Sequence, residues 1–484
     1  MSILTDIKLL IYRRTRIVAT LGPASSDGQT IGRLIDAGVN VFRLNMSHGE
    51  QAGHRETYMR VREEAGKLNK PVAVMADLSG PKIRVGAFEG GFAELKGGDE
   101  VIVTTRDVTG KSGLIPSQYG ALANDVETGS RILLDDGNLE LRVQSIDGSD
   151  IRCLVITGGV LSDHKGMNLP GVSVSAPSLT EKDRTDAKFA LDLGVDFLAL
   201  SFVRRASDVV ELGELVKESG KAVPIVAKIE KPEALKNIDE ILKEADGVMI
   251  ARGDLGVELP PQAVPAAQDQ LIDLARASRK PVIVATQMLE SMIDHPRPTR
   301  AEVSDVANAV RMGADAVMLS GETAVGKYPV QAVRMMDMVA RQTEGYLWSQ
   351  GAFGSLTRKS EAAGPIPIED AISASMAQLS RDLLVRAIIV ISLTGRSMAV
   401  MSSSRPAAPI IGISPHEQAS RAACLLWGVI PVAVDPADLE NTQALARKTS
   451  LDLGLVEEGQ SILVVQGFSS DPKMNTPSVT VVPV

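Results

Sequence analysis

The stretch "VAKIEKPEAL" puts Lys228 and Glu230 two residues apart at the end of an apolar run. Residues two apart on a strand share a face, so an ammonium and a carboxylate emerge side by side. One run later, "MIARGDLGVEL" supplies Asp254. Two carboxylates with open coordination positions suit Mg²⁺ or Mn²⁺, hard ions usually held by one or two acids plus substrate oxygens and water. On the pair alone, Lys228 and Glu230 also read as a structural ion pair. Gly253 and the short "DLGVEL" turn offer free backbone N–H groups to an anion such as a carboxylate. Arg43 in "VFRLN", Arg84 in "GPKIR" and Lys165 in "HKGMNLPG" add dispersed positive charge. Cations, a lysine and a hard metal together point to more than one phosphate. Phosphoryl transfer needs this composition, because the protein chiefly positions groups and neutralises moving charge. The sequence holds no Walker A motif and no kinase glycine-rich loop.

A second stretch, "MADLSGPKIR", ends an apolar run in Asp77 and places Lys82 just after a Gly-Pro turn. By residue type, Lys82 reads as a solvated loop lysine.

These residues need elements to position them. Eight short apolar or β-branched runs alternate with helical patterns: 15–22, 39–45, 71–78, 195–202, 223–230, 246–252, 280–287 and 314–322. Nearly continuous apolar strands suit a parallel sheet covered on both faces, and eight βα units predict a (β/α)8 TIM barrel. Such barrels carry their chemistry at the C-terminal strand ends. Six of the eight runs end there in polar residues: Arg43 with Asn45, Asp77, Lys228 with Glu230, Arg252 with Asp254, Thr286 with Gln287, and Ser320 with Glu322. A strand leaving any core turns polar, which accounts for one or two such ends and not for six.

Over a hundred residues separate the third and fourth runs. Gly, Asp and alternating β patterns over 82–178 predict a small inserted β-barrel domain. It leaves at the catalytic face, where it can act as a lid that excludes water. The barrel is expected over 1–81 and 179–345, with Ser178 and Glu181 at capping-box spacing where it resumes. A linker is read at "SQGAFGSLTRKSEAAGP", residues 349–365. A C-terminal open α/β domain is expected over 346–484, from apolar runs at 387–392, 408–414, 428–434 and 461–467.

Composition limits the function. The 484 residues exceed one core. A net charge of −9 argues against general binding of nucleic acid or acidic membranes. Cys153 and Cys424 lie far apart, which offers neither a disulfide framework nor a zinc site. The N-terminal apolar patch precedes its arginines, the reverse of a signal peptide, and no uninterrupted apolar run reaches membrane-spanning length. The cytoplasm is the expected compartment.

The motifs "VFRLNMSHG", "GPKIR", "KGMNLPG", "VAKIEKPEAL", "MIARGDLGVEL", "ATQMLESM", "PRPTRAEVSDVANAV" and "MLSGETAVGKYP" strongly resemble pyruvate kinase. The resemblance runs from about residue 14 to 345 and continues more weakly to the C-terminus. It implies the same three-part architecture, a homotetramer, and phosphoryl transfer from phosphoenolpyruvate to ADP giving pyruvate and ATP. Lys228 would neutralise the phosphoryl group in flight, and Arg43 would contact it. Glu230 and Asp254 would bind the divalent metal. Gly253, Asp254 and Thr286 would hold the substrate carboxylate. Asn45, Ser47, His48, Gly49, Arg84 and Lys165 would bind the nucleotide, which brings a second Mg²⁺. Thr286 would relay a proton to the enolate through water, with Ser320 and Glu322 behind it.

The resemblance also gives Lys82 a role. Many members bind K⁺ near Asn45, Ser47 and Asp77, and carry a glutamate at the position of Lys82 and threonines at those of Leu78 and Val85. An ammonium there supplies one positive charge without an ion, so K⁺ independence is expected. In "SLTGRSMAV", Ser392, Thr394 and Ser397 resemble an effector-phosphate pocket; ordinary hydroxyl capping is the alternative. The distal loop "QGFSSDPKMNTPS" departs from the basic or aromatic loops of members activated by fructose 1,6-bisphosphate. That leaves a sugar monophosphate or AMP open as the phosphorylated effector. Two rivals stand beside this reading. One is a Schiff-base or metal-dependent lyase using Lys228; the other is an inactive, effector-binding regulator.

Overall fold

The computed structural model describes residues 12–351, 366–469, 471 and 473–484. The N-terminal apolar patch before Tyr12 and the linker beyond Gly351 lie outside the described residues.

All eight predicted runs are parallel strands of one closed barrel: Arg16–Thr20, Val41–Asn45, Ala73–Asp77, Phe197–Leu200, Ile225–Ile229, Gly247–Ala251, Val282–Ala285 and Ala316–Leu319. The eighth closes on the first, with Arg16 opposite Ala316 and Ala19 opposite Leu319. Alternation sorts the side chains. Val41, Ala73, Met75, Val226 and Met318 belong to the cluster that fills the barrel. Phe42, Val74 and Ala227 belong to the layer beneath the helices. Carrying the inward register upward brings Arg43 after Val41, Asp77 after Met75, Lys228 after Val226 and Ser320 after Met318. The chemistry-bearing residues are thus the top rung of the packed interior.

The base of the barrel is closed by the C-terminal domain. Cys424 and Leu425 join the interior cluster, and the Cys424 Sγ lies 3.4 Å from the Pro71 carbonyl. Both cysteines are free and buried, and burial raises both thiols to about 12. Both are therefore packing residues.

The insertion leaves after Asp77. Its strands form a six-stranded sheet and a two-stranded pair, Phe92–Leu95 against Gly159–Ser162, around a shared core. The barrel resumes at the helix Glu181–Leu193. Its capping box is Thr180 with Asp183, not Ser178 with Glu181. The Ser178 hydroxyl instead lies within hydrogen-bond reach of Phe202 O at 2.9 Å and Asp208 Oδ2 at 3.0 Å, sharing its one proton between them. It ties the returning chain to the fourth strand's loop.

The C-terminal sheet carries the four predicted strands, now bounded at Ile388–Ile391, Ile410–Ser414, Val429–Ala433 and Ser461–Gln466. A fifth, Ser478–Pro483, pairs antiparallel with Ser461–Gln466 and forms an edge. Only Val482 of that strand is buried. No helix among the described residues is long and apolar enough to cross a membrane.

Candidate active site

The third and fifth strands end on opposite charges that meet. Asp77 Oδ2 accepts from Arg43 Nε at 2.6 Å, and Asp77 Oδ1 lies 3.3 Å from Lys228 Nζ. Lys228 Nζ also lies 3.1 Å from Glu230 Oε1 and donates to Ser201 Oγ at 2.6 Å. Glu230 Oε2 accepts from Phe202 N at 2.7 Å. Arg43 Nη1 donates to Thr20 Oγ1 at 3.1 Å.

The charges tune one another. Burial pushes Asp77 up, but Lys228 and Arg43 outweigh it and hold the carboxyl below its ordinary value. Burial pushes Lys228 down, and the opposing pull of Asp77 and Glu230 leaves it above the ordinary lysine value. Glu230 is raised, by burial first and with Asp254 adding to the effect against Lys228. A cation entering beside Glu230 and Asp254 relieves both causes. The donor set fits a hard divalent ion. Asp254 lines a cleft of ≈ 640 Å³ with Gly253, Thr286, Ser320 and Glu322, and its charge acts on the buried Glu230. No group of three or more His, Cys, Asp or Glu side chains converges as a metal site among the described residues, and Mg²⁺ is usually held by one or two carboxylates with substrate oxygens and water.

The expected free N–H groups after the sixth strand take a different form. Residues Arg252–Glu258 form a short helix, and Gly253 N donates to Thr286 Oγ1 at 2.7 Å. The Thr286 hydroxyl donates in turn to Ala285 O at 2.6 Å. Thr286 and Gln287 both adopt positive φ, 67° and 54°, which is uncommon for a β-branched residue and marks strain at a working site. Arg252 holds this turn: Nη2 donates to Thr286 O at 2.7 Å, and Nη1 to Asp305 Oδ2 at 2.6 Å.

Glu322 is buried and accepts from Leu289 N at 3.0 Å and Ser320 N at 2.7 Å. Burial nevertheless pushes its carboxyl up. The adjacent Ser320 hydroxyl is buried without a hydrogen-bond partner among the described residues.

At the lid side, Lys165 Nζ pairs with Asp135 Oδ1 at 2.7 Å, and Arg84 Nη1 donates to His164 O at 2.9 Å. His48 is lowered, by burial first and then by Arg84, Lys82 and Arg43, which brings these four residues into one electropositive mouth. Asn45 Oδ1 accepts from Ser47 N at 3.2 Å, and Gly49 has φ 79°. Leu78 and Val85 are fully buried, whereas Lys82 is exposed and lines the cleft with Asp254 and Thr286. Lys82 makes no ion pair with Asp77, whose oxygens are taken by Arg43 and Lys228. In the C-terminal domain, Ser392 and Ser397 are buried and Thr394 is exposed. Ser392 Oγ accepts from Gly395 N at 3.0 Å.

Sequence reasoning missed Thr20, Ser201 and the positioning role of Arg252. Thr20 and Ser201 lie at the first and fourth strands, the two whose ends had shown no acid, base or amide.

A closed (β/α)8 barrel with a lysine, two carboxylates and an arginine at its C-terminal mouth, under an inserted β domain, defines a metal-assisted phosphotransferase. Two family models match: pyruvate kinase, barrel domain, over residues 12–333, and pyruvate kinase, alpha/beta domain, over 370–482. The chain is 44% identical over 460 residues to pyruvate kinase 2 of Synechocystis, covering 94% of this chain and 76% of that protein. It is 43% identical over 459 residues to the Geobacillus stearothermophilus pyruvate kinase, covering 94% and 78%. It is also 43% identical over 470 residues to that of Staphylococcus saprophyticus, covering 96% and 79%. The chain belongs to the pyruvate kinase family, and its activity is phosphoryl transfer between phosphoenolpyruvate and ADP.

Proposed function

We propose that Lys228 and Arg43 neutralise the phosphoryl group as it leaves phosphoenolpyruvate for ADP. The single observation that supports this most is the Lys228 ammonium held between Asp77 and Glu230. Charge fixed in a dry site before the reaction is worth more than charge gathered from water. Glu230 and Asp254 are the residues to hold Mg²⁺ or Mn²⁺, which supplies Lewis-acid stabilisation of the phosphate and enolate oxygens.

Gly253, Asp254 and Thr286 receive the substrate carboxylate. The Thr286 hydroxyl that now accepts from Gly253 N must turn to do so. After transfer, the enolate needs a proton at carbon. Thr286 relays it through water, with Ser320 and Glu322 as the supporting network. A Glu322 carboxyl raised by burial and an unpartnered Ser320 hydroxyl suit that work. Asn45, Ser47, His48, Gly49, Arg84 and Lys165 bind the nucleotide, which arrives with a second Mg²⁺. Lys165 exchanges Asp135 for a phosphate oxygen on lid closure.

Lys82 replaces K⁺ by reaching from the mouth toward Asn45, Ser47 and Asp77 when phosphate enters. Ser392, Thr394 and Ser397 hold the phosphate of a sugar monophosphate or AMP. The working particle is a cytoplasmic homotetramer, with domain boundaries near residues 81, 178 and 345. Pyruvate formation from phosphoenolpyruvate and ADP, measured with and without K⁺ and each effector, tests this reading. ADP- and metal-dependent turnover without K⁺ supports it; turnover that requires K⁺ refutes the role of Lys82.

A further inference from the structure

The N-terminal face of the barrel, opposite the active site, meets the C-terminal domain across a basic cleft. Arg276, Arg279 and Lys280 reach it from the chain before the seventh strand, and Arg405 from the C-terminal domain. Asp315 is the one carboxylate among its described lining residues. Arg405 is only 7% exposed. Its Nη1 lies 3.0 Å from Asp315 Oδ1, and its Nη2 donates to Gly313 O at 2.9 Å. Arg279 is paired outside the cleft, with Asp370 at 3.0 Å. Arg276 and Lys280 have no carboxylate within ion-pair distance among the described residues.

Two observations point to a missing ligand. The first is charge: with Arg405 on Asp315 and Arg279 on Asp370, Arg276 and Lys280 line the cleft without an ion-pair partner among the described residues. Burial, and then Arg405, pushes the Arg276 guanidinium below its ordinary value. The second is hydrogen bonding. Arg276 Nε and Arg405 Nε are buried N–H donors without a hydrogen-bond partner among the described residues. Buried donors left unpaired are rare and call for an acceptor. Guanidinium groups prefer the planar, paired oxygens of carboxylate and phosphate.

Size narrows the class. The empty space of the cleft, its open mouth included, is ≈ 240 Å³, of which only ≈ 10 Å³ admits a water-sized sphere. That inner space suits one oxygen of a tetrahedral anion, with the remainder in the open mouth. We propose that this cleft binds an oxyanion, either inorganic phosphate or the phosphate of a monoester, bridging the barrel to the C-terminal domain. The site lies at the C-terminal half of the helix Arg396–Ser403, through Ala399, Ser402 and Ser403. It is therefore separate from the Ser392 loop at that helix's other end.

The test uses the full chain and its double variant Arg276→Met/Lys280→Met, neither residue being part of the active site. Thermal midpoints are followed against inorganic phosphate and, separately, glycerol 2-phosphate. Anions at the active site and the Ser392 loop act equally on both proteins, so the difference isolates the cleft. Loss of two charge-assisted contacts predicts an apparent phosphate affinity at least about tenfold weaker in the variant. A difference with inorganic phosphate alone assigns the small ion, and a difference with both assigns the monoester class. Lys280→Met alone, at a half-buried position, serves if the double variant does not fold. Equal phosphate stabilisation of wild type and variant overturns the proposal.

Discussion

Lys228 Nζ lies 3.1 Å from Glu230 Oε1, and both groups sit on the inward face of the fifth strand, above Val226. The relationship decides between two chemistries of a barrel lysine. An imine-forming lysine needs a depressed pKa. Here Asp77 and Glu230 outweigh burial and raise it. Lys228 is a permanent cation, suited to phosphate and not to a carbonyl. Trapping with borohydride in the presence of a keto acid should therefore leave Lys228 unmodified, as mass spectrometry of the digest will show.

Glu230→Gln removes one anionic oxygen from the proposed metal site and leaves Lys228 one carboxylate fewer. Asp254→Asn removes the other acid. Each should raise the Mg²⁺ concentration needed for half-maximal activity, by about tenfold or more for a lost charged ligand. Activity titrated against Mg²⁺ checks this, and an unchanged requirement places the metal elsewhere.

Asp77 links pH to stability. Its carboxyl is held below its ordinary value in the fold, so the unfolded chain binds the proton more readily. Stability from this group is fully present above the unfolded pKa of about 3.9 and is lost as pH falls through the lower folded value. Asp77→Asn should cost about 3–5 kcal/mol at neutral pH, because it strands the buried cations Arg43 and Lys228. The gap between wild type and variant should narrow below about pH 4. Denaturant melts across pH measure it, and a gap independent of pH contradicts the assignment.

Much of this site is legible from alternation alone. Val226–Lys228–Glu230 and Ala73–Met75–Asp77 are inward faces that turn from apolar to charged at the barrel mouth, and a period of two exposes that. Thr20 and Ser201 were not legible, because a hydroxyl ending a strand looks like any chain leaving its core. Only the fold shows that one accepts from Arg43 and the other from Lys228. The left-handed turn at Thr286 and Gln287 runs against the preference of a β-branched residue, and Arg252 holds it from the start of the helix that follows the neighbouring strand. The capping box moved two residues, from Ser178 to Thr180, because Thr180 and Asp183 meet the same spacing rule. The edge strand Ser478–Pro483 buries little but Val482, so its pattern carries little signal.

Lys82 lines the cleft yet leaves Asp77 to Arg43 and Lys228. Its ammonium has no ion-pair partner among the described residues and is proposed to meet incoming phosphate. Full activity is expected in buffer whose only monovalent cation is tetramethylammonium. Lys82→Glu should lose most of that activity and recover part of it with K⁺, with further recovery once Leu78→Thr and Val85→Thr are added. A native enzyme inactive without K⁺ contradicts this.

Ser392→Ala with Thr394→Ala should abolish activation by a phosphorylated effector and preserve activity at saturating phosphoenolpyruvate. The proposed pocket lies in another domain from the chemistry, so an effector there would act only by biasing conformational states. Activation curves for wild type and variant check it; an unchanged curve places the effector elsewhere.

The most direct measurement is the turnover number of Lys228→Met beside its affinity for phosphoenolpyruvate by calorimetry. The charge of Lys228 matters most while the phosphoryl group is in flight. Turnover should fall by about a hundredfold or more, with phosphoenolpyruvate affinity within a few-fold of wild type. Near-native turnover in a folded Lys228→Met enzyme would contradict the account.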